Sequence, residues 1–443
     1  MRGFENIQYN RSLPLKYETD VFIAGGGPAG VAAAVSAAQN GAKVFLAEAE
    51  GALGGMGTLG LVPVFMEFSD GVHFVAAGIG EEILTRLRDA GGTGDENGFS
   101  IKAEALKRLY DEMLIERGVS FTFHTRLIDV VQEEGRVTAV VLAAKSGIFA
   151  VKAKIFVDAT GDGDLAAWAG APFEKGDEQG NMMPGSLCSL WTGIDWTTAD
   201  RDTTQKRMLE KAFQDKIFTL EDPSLPGMWR VGAITGGGNI GHAFGVDGTD
   251  ETSLTEAYIQ QRKRLLEYDN YFRNYLTGYQ DMELVGTGSL MGIRESRRIM
   301  GDYVLNFGDF QNRAVFEDEI GRYAGPVDIH AATPDKALHK KIKQAYLTDW
   351  RYQKGESYGI PYRTLTPLGL KNVLTAGRGI STDRSILGSV RVMPGCFITG
   401  QAAGAAAAIC ALDDVDTREM NVKKLQKALK EMGAFLPNYR EDG

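Results

Sequence analysis

Four small groups of residues carry the chemistry open to this chain. The first is Gly25, Gly27 and Gly30 in DVFIAGGGPAGVAAA, followed by Glu48 at the end of KVFLAE. Gly25 permits a sharp turn, Gly27 leaves the backbone open to a pyrophosphate, and Gly30 lets the next helix lie close on its sheet. That helix, starting at Pro28 and Ala29, presents free amides to phosphate, and Glu48 can accept hydrogen bonds from ribose hydroxyls. The second group is His242, one of 5 histidines, in the glycine loop GGGNIGHAFGVDGTD with Asn239 and Asp247 near it in sequence. Such a histidine can serve as acid or base, or be a hydrogen-bonded structural side chain. The third is Arg294, Arg297 and Arg298 in GIRESRRIMG, at a spacing compatible with one helix face. Arg294 can grip a carboxylate in bidentate fashion, or all three can line a solvated helix paired with Glu295 and Asp302. The fourth is Arg391 in SVRVMPG, suited to a ligand contact or to pairing with Asp383. Tyr362 and Arg363 in IPYR are weaker candidates of the same kind.

Positioning these groups requires a particular set of elements. Residues 20–48 read as strand, glycine turn, small-residue helix and second strand, a dinucleotide-binding βαβ unit. GALGGMGTLGL then breaks regular structure and permits close backbone approach to a ligand, or simply turns. Apolar residues recur at helical spacing over 81–90 and 102–117, with Leu106, Leu109, Met113 and Leu114 on one side and a mobile GGTGDENG loop between the helices. Residues 119–158 alternate apolar and polar and turn at Glu134-Gly135 and Ser146-Gly147, as a β-meander does. A strand from Ile155 to Ala159 then meets a Thr160-Gly161 turn, where Asp162 and Asp164 are suited to cap a short helix. The middle of the chain is aromatic and glycine-rich, with a helix over 252–275 whose Tyr258, Leu265, Phe272 and Leu276 share a core-facing side. After residue 370, NVLTAGR reads as a buried strand, and CFITGQAAGAAAAICAL as a helix that can press close to its neighbours. The pattern predicts an α/β fold: a Rossmann-like nucleotide-binding domain with a parallel sheet and a meander, in segments 18–175 and 346–443, around an inserted α+β substrate domain over 176–345.

Composition narrows the partners. A net charge of -10 and a pI near 5.2 repel nucleic acid and anionic membrane surfaces and point to a small-molecule substrate. Cys188, Cys396 and Cys410 are too scattered for a disulfide framework, a zinc site or a four-cysteine cluster, which suits a reducing, cytoplasmic compartment. The first 17 residues, with Arg2, Glu5, Arg11 and Lys16, lack a signal-peptide core, and the alanine-rich run after Gln401 is too short to span a bilayer.

Six motifs in order resemble the FAD-dependent oxidoreductase family: GGGPAG, LGGMGT, VDATGDGDLAAWAG, GIRESRRIMGDYVL, YGIPYRTLTP and AGRGIS followed by RVMPGCFITGQAAGAAAA. That family is similar in fold to the glutathione-reductase and fumarate-reductase flavoproteins, and the likeness runs from about residue 18 to 412. The resemblance implies noncovalent FAD, with Gly25, Gly27 and Gly30 at the pyrophosphate and Glu48 at the adenosine ribose. It places Gly54, Gly55 and Met56 on the path to the flavin. Thr160, Gly161 and Asp162 fall beside the adenosine half, and Gly377 and Arg378 beside the ribityl chain or pyrophosphate. The helix beginning near Gly395 and Cys396 is expected to aim amides at the flavin N1 and O2, favouring the negative charge that collects there on reduction. Relatives similar to the large subunit of heterodisulfide reductases carry iron–sulfur clusters, but no cysteine run here could ligate one.

A flavin takes a hydride at N5, so the substrate also needs a base or a group that stabilises charge. The expected activity is hydride transfer between FAD and a small polar metabolite, a carboxylate-bearing one being the case that suits Arg294, with Arg294, His242 and Arg391 around the reacting carbon. The alternative is a flavin-bearing electron-transfer subunit serving a protein partner, against which the missing cluster cysteines count. His73 is conceivable as a covalent flavin attachment point, though noncovalent FAD is the expectation. Substrate, electron acceptor and oligomeric state do not follow from these residues.

Overall fold

The computed structural model describes residues 7–95 and 98–440, so Arg2, Glu5 and two residues of the GGTGDENG loop lie outside it. Strand β1 (Leu15–Ala24) buries the run VFIA on both faces, as a central parallel strand must. Gly25, at φ +92°, turns the chain where a Cβ would stand 2.7 Å from Ala159 O. Helix α1 (Pro28–Gln39) follows with proline in its first turn, and β2 (Val44–Ala47) returns parallel to β1. Helices α2 (Ile79–Asp89) and α3 (Ala103–Glu116) cover this unit, and Leu106, Leu109, Met113 and Leu114 are all buried. Strand β3 (Ser120–Thr122) pairs in parallel with β2. Strands β4 (Arg126–Glu133), β5 (Arg136–Ala144) and β6 (Gly147–Asp158) then form the meander.

The sequence suggested a separate strand starting at Ile155, but β6 is one continuous element. Its first residues pair antiparallel with β5 and its last run parallel to β1, which joins meander and nucleotide sheet in the order β3-β2-β1-β6-β5-β4. A second correction concerns the cap of α4 (Asp164–Trp168). Gly161 and Gly163, at φ +83° and +68°, curl the turn so that the first amides of the helix face back onto the end of β6. Asp158 Oδ2 therefore accepts from Ala166 N at 2.8 Å, and Thr160 Oγ1 from Asp164 N at 3.0 Å. The carboxylates of Asp162 and Asp164 turn instead to Arg378 and Arg297. Strand β7 (Phe173–Glu174) closes this part.

A second core forms on an antiparallel sheet. It comprises β8 (Ser189–Thr192), β9 (Gly227–Arg230), β10 (Gly236–Asn239) and, later, β11 (Glu283–Thr287), in the order β11-β8-β10-β9. Helix α5 (Leu209–Gln214) precedes β9, and α6 (Glu251–Tyr275) lays Leu265, Tyr271 and Phe272 against Trp191 and Leu276. The helix expected around Arg294 is absent. Gly292 exchanges both backbone hydrogen bonds with Ser186, which draws residues 288–297 out as an irregular strap ending in β12 (Arg298–Ile299), paired with β7. Tertiary pairing overrides the helical spacing: Arg298 bonds Glu295 at 2.7 Å and Arg297 bonds Asp164 at 2.7 Å.

The chain then returns to the first core. Helix α7 (Phe307–Asn312) and strand β13 (Glu319–Tyr323) come first, and β13 pairs with β14 (Tyr358–Pro361) beyond the exposed helix α8 (Lys336–Leu347). Leu305, Phe310, Ile320 and Val327 all pack into this core. Strand β15 (Val373–Thr375) pairs in parallel with the end of β6. Helices α9 (Arg384–Val390), α10 (Met393–Asp413) and α11 (Val422–Glu431) finish the fold. Helix α10 lies on α1 with the two backbones in contact: a Cβ on Gly400 would stand 2.3 Å from Ala29 O, and one on Gly404 2.1 Å from Ala33 O. At 21 residues α10 is long and apolar enough to cross a membrane, contrary to the expectation from the shorter alanine run. It is instead the core helix, with 94% of its apolar window buried in the fold.

Candidate active site

Two helix starts and three glycine turns converge beyond the ends of β1 and β6. Neither α1 nor α10 has a side-chain cap at its N-terminus. Val31 gives its amide to Gly27 O and Cys396 gives its amide to Val392 O. The first-turn amides left over are then Ala29 and Gly30 in α1, and Met393 and Gly395 in α10. A Cβ on Gly27 would meet nothing within 4 Å, and its φ of -66° suits any residue. Open space beside free amides, rather than backbone strain, marks this position, and that is the shape and polarity a pyrophosphate requires. Across the opening, a Cβ on Gly55 would stand 3.3 Å from Gly27 Cα, and Gly54, at φ +98°, donates to Gly26 O at 2.8 Å. Met56 follows in the same short turn.

Gly377 stands between the two helix starts, where a Cβ would come within 2.9 Å of Ala29 Cβ and 3.5 Å of Cys396 Sγ. Arg378 beside it is fully engaged with protein: it donates to Gly161 O at 2.8 Å, to the Asp162 carboxylate and to Ile293 O. It thereby staples the turns after β6 and β15 to each other and to the Arg294 strap. Thr160 Oγ1 donates to Asp158 Oδ1 at 2.7 Å. Glu48 accepts from Gly26 N at 2.6 Å and Glu50 N at 2.8 Å, and each carboxylate oxygen keeps a further lone pair for a ribose hydroxyl. Burial raises its pKa, with those amides opposing. The Cys396 thiol, pushed up to about 12 by burial, lies against Arg391 O at 3.2 Å and is no nucleophile at neutral pH.

Alongside this cradle runs a row of charged and titratable groups from three separate segments. Asp222 Oδ2 lies 2.9 Å from His242 Nδ1, at ion-pair distance but off hydrogen-bond alignment. His242 Nε2 is 2.9 Å from His330 Nδ1, with the rings nearly perpendicular. His330 Nε2 lies 3.3 Å from Asp328 Oδ1, and Asp328 Oδ2 accepts from Arg391 Nη2 at 2.8 Å. Asp222 and His242 are buried, at 5% and 2% exposed, whereas the His330 and Asp328 side chains keep 13% and 29% of their surface accessible, so the Asp328 end of the row is the accessible one. Burial works to raise the Asp328 pKa, but His330, Arg391 and Arg294 together hold it well below the carboxylate range. Burial, then the charge of Arg294, push His330 down to about 3, and burial also lowers His242 against the pull of Asp222. The resting state is therefore two ionised carboxylates flanking two neutral imidazoles.

Arg294 sits beside this row, 8% exposed. It donates to Pro184 O at 2.8 Å and Ser186 Oγ at 3.0 Å, and faces Asn239 Oδ1 at 3.4 Å. Among the described residues it forms no ion pair within 4.0 Å. Burial first and Arg391 second push its pKa down to about 10.

The structure thus brings Arg294, His242 and Arg391 together and changes their partners. His242 faces Asp222 rather than Asp247, which pairs with Lys175. Arg391 faces Asp328 rather than Asp383, which caps α9. Tyr362 donates to Thr417 O and Arg363 pairs with Asp318, away from the row. His73 pairs with Asp70 and stacks on Phe435. Sequence reasoning missed Asp222, Asp328 and His330. A usable signal existed for the last two, a D-x-H pair in the extended segment PVDIH, but Asp222 in EDPS carries none. A separate open cleft of about 720 Å³, lined by Trp196, Arg201 and Arg230, shares no residue with this site.

The family model for FAD dependent oxidoreductase matches residues 20–429, and the chain belongs to that family. FAD is accordingly its cofactor, and the open Gly27 cradle between two uncapped helix starts fits it. No curated protein matches the chain. Among solved structures it is similar to a geranylgeranyl bacteriochlorophyll reductase-like protein from Thermoplasma acidophilum, at 13% identity and TM-score 0.46 over 94% of this chain and 83% of that one. It is also similar to the flavin-dependent brominase Bmp2, at 12% identity and TM-score 0.48 over 94% and 83%. A third is p-nitrophenol 4-monooxygenase PnpA from Pseudomonas putida, at 13% identity and TM-score 0.41 over 94% and 84%.

Proposed function

We propose that this FAD-dependent oxidoreductase transfers a hydride between the flavin and a small carboxylate-bearing molecule held by Arg294. The supporting observation is a buried guanidinium that forms no ion pair within 4.0 Å among the described residues. An unpaired buried charge is costly, and a planar guanidinium with unengaged donors suits a carboxylate presented in bidentate fashion. FAD, when bound, supplies the two-electron acceptor or donor. The protein supplies the anion grip at Arg294 and, at the accessible Asp328–His330 end, an ionised carboxylate and a neutral imidazole placed to accept the accompanying proton. Arg391 is held by Asp328, so it orients that carboxylate rather than competing for the substrate.

The test is anaerobic mixing of the reconstituted holoenzyme with 2-hydroxy acids, 2-amino acids and the neutral amides of each. Bleaching of the flavin's visible band by an acid but not by its amide supports the reading. Equal bleaching by acid and amide, or by uncharged alcohols alone, overturns it.

A further inference from the structure

The protein occupies only part of the Arg294 guanidinium. Nη1 spends its donors on Pro184 O at 2.8 Å and Ser186 Oγ at 3.0 Å. Nε meets no acceptor among the described residues, and Nη2 meets only Asn239 Oδ1, at 3.4 Å, longer than an ordinary N–H···O bond. The edge formed by Nε and Nη2 is therefore the one open to a carboxylate, and Asn239 is its neighbour.

Asn239 ends β10, half-buried, and its side chain shares a sheet face with Gly237 two residues back. A Cβ on Gly237 would stand 2.4 Å from Pro63 Cβ, and Val62 beside it gives its amide to Met56 O at 2.9 Å. That face is turned toward the loop that follows Gly54, Gly55 and Met56 on the path to the flavin. The guanidinium also fixes how the carboxamide is presented. Its oxygen turns to the cation, because the opposite setting would put the Nδ2 donors against the Nη2 donors. Nδ2 then points its N–H groups away from Arg294, and no acceptor among the described residues takes either of them. A neutral donor thus lies beside the charged ones.

The carboxylates of the site are already engaged, which leaves none for an ammonium. Asp328 Oδ2 is held by Arg391 Nη2 at 2.8 Å and its Oδ1 lies 3.3 Å from His330, while Asp222, 5% exposed, lies against His242. The charge of Arg294 repels an ammonium as well.

We propose that Asn239 is the specificity residue of this site: its Nδ2 donates to a hydroxyl or carbonyl oxygen on the carbon next to the carboxylate that Arg294 holds, so the substrates are 2-hydroxy or 2-oxo acids and not 2-amino acids. This rests on the anion site proposed above. A hydroxyl can accept from Nδ2 and still give its own proton to a base, whereas an ammonium sets donors against donors.

The experiment is calorimetric titration of the FAD-loaded protein with 2-hydroxyisobutyrate, 2-aminoisobutyrate and pivalate, with oxalate as reference. The first three differ in one substituent on the carbon next to the carboxylate and carry no hydrogen there, so binding is read without turnover. The wild-type protein should bind 2-hydroxyisobutyrate roughly 2- to 10-fold more tightly than pivalate, the worth of one neutral hydrogen bond, and 2-aminoisobutyrate most weakly. Asn239→Ala should bring 2-hydroxyisobutyrate and pivalate to about equal affinity with FAD content unchanged. Asn239→Asp keeps the shape, removes the donor and should lose the same preference. Pivalate or 2-aminoisobutyrate binding the wild-type protein as tightly as 2-hydroxyisobutyrate overturns the inference and leaves the anion site standing, as does a preference for 2-hydroxyisobutyrate that survives in both variants. Binding of oxalate with none of the other three has the same meaning. No binding of oxalate to the wild-type protein overturns the anion site and this inference together.

Discussion

Replacing Arg294 by lysine isolates the grip on substrate from the grip on cofactor. The guanidinium is fixed by Pro184 O and Ser186 Oγ, and its remaining donors lie in a plane that a carboxylate can match. A lysine ammonium keeps the charge but loses the fork, hence at least one charge-assisted hydrogen bond to the ligand. That bond is worth about 1.5–3 kcal/mol, or roughly 10- to 100-fold. Burial first and the neighbouring Arg391 second lower the Arg294 pKa to about 10, so the pocket tolerates this cation poorly without an anion beside it. An arriving carboxylate relieves that cost, so its affinity should be sensitive to the cation's geometry. The assay is flavin bleaching against concentration of an acid found active in the screen above, together with FAD content per chain after denaturation. kcat/KM is expected to fall by roughly 10- to 100-fold with FAD content unchanged. Parallel loss of FAD and turnover would make the arginine structural, and unchanged kcat/KM would remove it from substrate contact.

Other perturbations separate cradle from scaffold. Gly27→Val adds a side chain where a Cβ meets nothing, so the fold should survive by circular dichroism while FAD retention falls to about a tenth or less. Gly404→Ala pushes a methyl toward Ala33 O, 2.1 Å away, and should destabilise the protein by about 1–3 kcal/mol, seen as a lower Tm. Burial raises Asp158 from 3.8 to about 6 in the folded protein. Between those values the unfolded chain has lost a proton that the native state keeps, so stability should fall as pH rises through the window, by about 3 kcal/mol in all. Asp158→Asn should flatten that slope in denaturant titrations run across the same pH range, and an unaltered slope would assign it to other groups.

The nucleotide-binding half was legible because its demands are local. A VFIA strand, a glycine turn and an alanine helix specify βαβ without help from elsewhere, and Gly400 and Gly404 announce close helix packing in the same way. The Arg294 strap was not legible, because two backbone bonds between Gly292 and Ser186 decide its shape from over a hundred residues away. The site's chemistry was read in part for the same reason. His242, Arg294 and Arg391 could be singled out by type and loop context, but their partners Asp222 and Asp328 come from unrelated segments. His330 was reachable only by reading PVDIH as an extended segment that puts both polar side chains on one side, where they lie 3.3 Å apart.

The most direct test of the whole account is a crystal structure of the chain with FAD and oxalate bound. The pyrophosphate is expected at Gly27 between the starts of α1 and α10, and oxalate on the Arg294 guanidinium between Asp328 and the flavin ring. An oxalate away from Arg294, or a flavin ring turned away from Arg294, would contradict that placement.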